Sequence, residues 1–184
     1  MRIVVSGTHG SGKSTLIGDF AAARRTFEVL PDPFELIDAV GEEPEAGLFL
    51  AQLHVAADRL RRLSPGEQVI AERGPLDFVA YLDALDDLRR PGRAPGLRSH
   101  ASTIAASAMA NVDLLVLLPL TTTSGIDVPD DEDPELREAM NAALLDLADE
   151  ADLVGDATVV EIIGDPASRL AQLEAAIDAA PDTR

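Results

Sequence analysis

Five short, mostly apolar runs punctuate the chain, at residues 2–6, 26–31, 68–72, 113–118 and 158–163. Near-continuous apolar character over so few residues predicts strands buried on both faces, not a sheet wetted on one side. Between the runs the period lengthens. Leu16, Ile17 and Phe20 share one face of a helix over residues 13–24. Phe49, Leu53, Ala56, Leu60 and Leu63 also recur at helical spacing, predicting a long helix with one core-facing stripe that Ser64, Pro65 and Gly66 end. A further short helix is expected at residues 34–40. Alternating strands and helices make a parallel sheet covered by helices on both faces. The expectation is one α/β domain over residues 1–184, built on a five-stranded parallel sheet, with no internal repeat.

Two segments break the alternation. Residues 91–96 are rich in Arg, Pro and Gly, and residues 121–134 are rich in Thr and Asp. Both are candidates for mobile flaps over a site.

Composition narrows the partners. A chain of 184 residues is long enough to bury a substantial core, and its formal net charge of -18 argues against nucleic acid or an anionic membrane surface. The absence of cysteine excludes disulfides, thiolate catalysis and thiolate-held zinc, and fits a reducing compartment. No stretch approaches the about 20 apolar residues that span a bilayer. No targeting segment is visible either, so the expected location is cytoplasmic.

Lysine occurs once, as Lys13, inside Gly7-Thr8-His9-Gly10-Ser11-Gly12-Lys13-Ser14, which matches the phosphate-binding pattern G-x-x-x-x-G-K-[ST] at every fixed position. Its glycines let the backbone fold into a nest of N–H groups, and the following helix aims its positive end at the same place. His9, Gly10, Ser11 and Gly12 would cradle the α- and β-phosphates. Lys13 would reach the β- and γ-phosphates, Ser14 would offer a hydroxyl to Mg²⁺, and Thr15 lies one residue deeper. The pattern sits between an apolar strand and a helix, as the chemistry requires. A dinucleotide site is disfavoured, because G-x-G-x-x-G does not follow the first strand.

A phosphate loop names a ligand, not a reaction. In an open α/β sheet the ligands collect at the carboxyl ends of the strands. Asp32-Pro33 follows the second predicted strand, and Glu72-Arg73-Gly74 with Asp77 follows the third. With residues 7–15, these elements resemble the deoxynucleoside kinase and ribosylnicotinamide kinase-like branch of the P-loop kinases among AAA-family ATPases. Order and spacing extend the likeness over most of the chain.

The resemblance implies a nucleoside- or nucleotide-kinase-like fold and phosphoryl transfer from ATP to a hydroxyl of a small, nucleoside-like acceptor. It gives Asp32 the role of general base, where the plain alternative is a turn or helix-capping aspartate. Glu72 would orient the Mg²⁺ hydration shell or the acceptor. Arg73 would hold Asp32 and a transferring phosphoryl oxygen, or form a structural ion pair. Asp77 would touch the acceptor or cap the next helix. Gln52, His54, Asp58 and Arg59 could face the acceptor from the long helix.

Kinases of this kind close a lid after the fourth strand, here residues 119–137. Arg137 is the one basic residue between Pro119 and Met140, among Asp127, Asp130, Asp131, Glu132, Asp133, Glu135 and Glu138. It is either the lid arginine or a surface residue. Asp133 and Pro134 read as the start of a helix. Arg89, Arg90, Arg93 and Arg98 offer a second supply of positive charge or simply solvate the surface. Gly164-Asp165-Pro166, before a helix that carries Arg169, resembles a loop that frames adenine and would bring Arg169 to the base. Kinases of this type often pair through helices flanking the sheet, so the resemblance leaves a homodimer open without fixing the oligomeric state. The rival reading is a regulatory or accessory NTPase that switches the 121–134 loop and acts through a protein partner.

Overall fold

The computed structural model of the protein describes residues 1–36, 46–90, 96–120 and 133–180. Predicted features in the other positions lie outside the described residues: helical residues 37–40, flap residues 91–95 with Arg93, and lid residues 121–132 with Asp127, Asp130, Asp131 and Glu132.

Strand and helix alternate as β1 (Arg2–Ser6), α1 (Lys13–Ala23), β2 (Glu28–Leu30), a 3₁₀ turn (Pro33–Leu36), α2 (Ala46–Arg61), β3 (Val69–Glu72), α3 (Pro75–Asp87) and α4 (Leu97–Met109). The chain continues through β4 (Leu114–Leu117), α5 (Pro134–Ala148), α6 (Ala151–Val154), β5 (Thr158–Glu161) and α7 (Pro166–Ala179). The five strands form one parallel sheet in the order β2-β3-β1-β4-β5. β1 is therefore central, and chain order reverses across it. Val4 pairs with Ala71 on one side and Leu115 on the other, setting the register of the three inner strands.

Alternate residues of those strands feed two cores. Ile3, Val5, Ile70, Leu114 and Val116 pack beneath Leu16, Ile17 and Phe20 of α1 and Leu173 of α7. Val4, Ala71, Leu115 and Leu117 face the larger core built from α2, α3, α4 and α5. With no side chain of β1 from Ile3 to Ser6 open to water, the pattern of double burial holds at the centre.

It fails at the edges. β2 and β5 are shorter than the apolar runs predicted, and they are not buried: Val29 is 38% and Val159 37% exposed. The reason is position. An edge strand has one ladder neighbour, and the helices cover the middle of the sheet first. Among the described residues no helix is long and apolar enough to cross a membrane.

Candidate active site

The carboxyl ends of β1, β2 and β3 bring the phosphate loop, Asp32 and the Glu72-Arg73 pair to one rim of the sheet. β1 ends at Ser6, the loop follows, and α1 begins at Lys13. Gly12 takes φ 91°, a left-handed conformation that permits the tight entry into the helix. At Gly7 a side chain has no room, since a Cβ there would stand 2.7 Å from Ser11 Oγ and 2.9 Å from the Leu118 carbonyl. Lys13 lies curled over the loop, donating from Nζ to the Thr8 carbonyl at 2.8 Å. Burial, aided by the nearby Arg73 cation, draws its pKa down to about 7 against the pull of Asp77, Glu72 and Asp32. A group so placed is a cation lacking its counter-ion, as a site for polyphosphate demands. Thr8 Oγ1 and Ser11 Oγ are buried in the same loop without a hydrogen-bond partner.

Ser14 and Thr15 remain exposed at the first turn of α1. Ser14 Oγ donates to Glu72 Oε1 at 2.7 Å, so a hydroxyl from α1 and a carboxylate from β3 meet beside the loop. Hard oxygen donors of this kind, few and open to water, fit Mg²⁺, which keeps much of its hydration and shares phosphate oxygens.

Asp32 and Arg73 come together from adjacent strand ends. Arg73 Nε donates to Asp32 Oδ2 at 2.6 Å, and both groups are largely buried. Asp32 Oδ1 accepts from the Phe34 backbone N–H at 3.0 Å, so the aspartate also caps the 3₁₀ turn. Capping and pairing thus fix the carboxylate from two sides. Arg73 holds an unusual backbone, φ 59°, at the point where β3 gives way to α3. Its Nη1 donates to Tyr81 Oη at 3.2 Å, and its guanidinium stands 5.5 Å from the Tyr81 ring centroid. Burial opposes the charge of Arg73, but Tyr81, Asp32 and Asp77 outweigh that cost and hold its pKa above the ordinary value.

Asp77 does not reach an acceptor. It is 0% exposed, and its oxygens accept from Ser6 Oγ at 2.5 Å, Gly7 N–H at 2.9 Å and Gly74 N–H at 2.8 Å. The capping alternative holds, and the substrate-contact expectation is corrected: a carboxylate occupied by three donors and sealed from solvent has nothing to offer a ligand. Asp77 instead ties the start of the phosphate loop to the loop that carries Arg73. Burial pushes its carboxyl up, while Arg73, Ser6, Gly7 and Lys13 pull it down.

Arg169 is likewise engaged within the protein. It is 5% exposed and donates from Nη1 to the Ser11 carbonyl at 2.6 Å, bracing the phosphate loop from α7 where it was expected to frame adenine. Burial holds its pKa below the usual arginine value. Arg137, from the first turn of α5, reaches the other side of the loop and donates to the His9 carbonyl at 2.9 Å and the Gly10 carbonyl at 3.3 Å. Among the described residues no acid pairs with Arg137, and its guanidinium rests on the loop carbonyls. Arg90 and Arg98 are engaged elsewhere: Arg90 pairs with Asp133 and Glu135, Arg98 with Asp83 and Glu150.

From α2, Gln52 is buried and Arg59 Nη1 donates to the Pro31 carbonyl at 2.7 Å, beside Asp32. Asp58 pairs with Arg61, and His54 is exposed, its ring 6.3 Å from that of His100. One feature escaped sequence reasoning. Phe49 stacks on Tyr81 with centroids 4.5 Å apart and planes 4° from parallel, making an aromatic wall behind Arg73.

The family model described as "AAA domain" matches residues 2–169. The chain belongs to this AAA-domain family. Among curated proteins no sequence matches. Solved structures do. A thymidylate kinase from Candida albicans superposes with a TM-score of 0.68 at 16% identity, over 96% of this chain and 90% of that chain. A deoxyadenosine kinase from M. mycoides, with bound dATP, gives 0.67 at 15% identity, over 97% and 100% of the two chains. A thymidylate kinase from Ehrlichia chaffeensis gives 0.60 at 14%, over 97% and 98%. At such identities the likeness is one of fold, and the fold of this AAA-domain protein is that of the P-loop nucleoside and nucleotide kinases.

Proposed function

We propose that the protein is an ATP-dependent phosphotransferase that moves the γ-phosphate of ATP to a hydroxyl of a small nucleoside- or nucleotide-like acceptor. The observation that carries the reading is the buried Asp32–Arg73 pair at 2.6 Å, set beside a phosphate loop. A loop alone serves any nucleotide-binding device. A fixed carboxylate with an arginine at its elbow serves transfer to an alcohol: the carboxylate takes the proton and the guanidinium stabilises charge developing on the transferring oxygens. Kinase names among the structural neighbours support the same reading.

In the reaction the acceptor oxygen forms a bond to the γ-phosphorus, and the bond from that phosphorus to the β–γ bridging oxygen breaks. ADP leaves with the electron pair, and the acceptor proton passes to Asp32. Lys13 holds the β- and γ-phosphates, Arg137 steadies the γ-phosphate from the lid side, and the loop of His9, Gly10, Ser11 and Gly12 supplies backbone N–H groups. Ser14 and Glu72 would hold Mg²⁺, whose charge, when bound, offsets that of the β- and γ-phosphates.

Incubation with ATP, Mg²⁺ and a panel of nucleosides, nucleotides and other alcohols tests the proposal by ADP release and product mass. One acceptor class should stimulate ADP release and gain one phosphate. Asp32→Asn should retain ATP binding and lose about 10²–10⁴ in transfer rate. A slow release indifferent to every acceptor would sink the kinase reading.

A further inference from the structure

Arg73 is a buried cation, 9% exposed, and its bond to Asp32 uses one corner of a guanidinium that carries five N–H groups. The rest of its hold comes from α3. Gly74 opens that helix tight against the sheet, where a Cβ would stand 2.5 Å from Val4 Cγ1. Asp77, in the first turn, binds Ser6 Oγ and the Gly7 N–H and so registers α3 to the start of the phosphate loop. Tyr81 lies four residues further along the same helical face. Its Oη accepts from Arg73 Nη1 at 3.2 Å, with the guanidinium 5.5 Å from the ring centroid. Phe49 of α2 stacks on that ring at 4.5 Å and 4° from parallel, which limits how far the phenol can turn. One helix face therefore grips the phosphate loop through Asp77 and the arginine through Tyr81.

We infer that Tyr81 is a positioning residue of the transfer site, fixing the guanidinium of Arg73 relative to the phosphate loop from a helix that Asp77 ties to that loop. This rests on the kinase reading above and adds to it a side chain that acts through Arg73 and not on the substrate. With Nε on Asp32 and Nη1 on Tyr81, the remaining N–H groups of the fork have no partner among the described residues and serve the oxygens of the transferring group. A phenol suits this task better than a second carboxylate. It accepts a hydrogen bond without cancelling the charge, so Arg73 keeps its cation for the phosphoryl oxygens. Donors stabilise developing charge to the extent that they are aimed beforehand, and a displacement of about 1 Å costs on the order of 10² in rate.

Two measurements on the full chain test the assignment. In nitrogen-15 NMR, hindered rotation should give Arg73 separate Nη signals that merge in Tyr81→Phe, while those of Arg169, held to the Ser11 carbonyl, stay as they are. In steady-state kinetics Tyr81→Phe, which keeps the ring and its stack, should lower kcat by about tenfold at unchanged KM for ATP. Phe49→Leu, which frees the ring but leaves the hydroxyl, should cost less. Nη signals already merged in the parent, or unchanged in Tyr81→Phe, would overturn the inference. So would a lower melting temperature with kcat preserved, which would make Tyr81 a core residue only. The NMR arm needs no turnover and keeps the two readings apart. A parent that restrains Arg73 but phosphorylates no acceptor would refute the kinase reading and reduce Tyr81 to the brace of a structural ion pair; transfer at the parental rate by Tyr81→Phe would refute this inference and leave the kinase standing.

Discussion

Lys13 shows how burial can tune a single side chain. Its folded pKa, about 7, lies below the ordinary lysine value of 10.5 because burial penalises the ammonium more than the nearby acids support it. Between those values the unfolded chain holds a proton that the folded chain has released, so rising pH stabilises the ligand-free protein across that window. Bound polyphosphate reverses the preference and restores the ammonium. Binding of ATP should therefore take up about half a proton at pH 7 and close to one at pH 9, read by calorimetry in buffers of different ionisation enthalpy. Affinity should fall as pH rises above 7. Uptake independent of pH would place the Lys13 proton elsewhere. Asp77 is the opposite kind of residue, complete without any ligand. Removing it in Asp77→Ala strands Ser6 Oγ and two backbone N–H groups in a sealed space, at a cost of about 3 kcal/mol. For a domain of this size that corresponds to a melting temperature lower by roughly 6–12 °C. Thermal unfolding of the variant checks it, and a shift within 2 °C would mean that water replaces the carboxylate.

Single elements carry these groups to one rim, and α5 is the element with the most to lose. Its first turn begins at Asp133, whose carboxylate caps Glu135 and Leu136, and projects Arg137 onto the phosphate loop. As an arm of the transfer site, Arg137 should matter for rate and little for stability. Arg137→Ala should lower kcat by about 10²-fold, with a melting temperature within a few degrees of the parent. A large loss of stability with kcat preserved would make the contact a structural strut. How far such arrangements were legible in the sequence depends on the separation of the partners. The phosphate loop was legible because its chemistry is local: eight consecutive residues specify the turn, the nest and the lysine. The inner strands were legible because both faces are covered and the apolar run is the whole signal. β2 and β5 were overestimated because an apolar run says nothing about whether its strand lies at an edge. The meeting of Asp32 with Arg73 followed from two strand ends that are neighbours in the sheet. The Ser11 carbonyl that holds Arg169 lies 158 residues away, and no local pattern encodes which carbonyl an arginine will find. The stack of Phe49 on Tyr81 was hidden for a related reason, since spacing marks Phe49 as core without saying what it covers.

The whole molecule sets a field in which these local cations must work. A formal charge of -18 spread over a body of roughly 20 Å radius repels a dianionic MgATP by several kcal/mol at its surface in dilute salt. The cations at the rim are included in that total, so their pull is short-ranged and acts after the ligand has crossed the repulsive zone. Salt screens the two unequally. At about 0.01 M the Debye length is near 30 Å and the whole body is felt, whereas at 0.15 M it is about 8 Å and a ligand at the rim senses mainly Lys13, Arg73, Arg137 and Arg169, against Asp32, Glu72 and Asp77. Association of MgATP should therefore accelerate with added salt, by roughly tenfold between those two conditions, where a basic nucleotide-binding protein slows. Stopped-flow association of a fluorescent ATP analogue measures it directly. A rate that falls with salt would mean that the cationic rim projects its field beyond the acidic body, and the acids would then be clustered on faces remote from the phosphate loop.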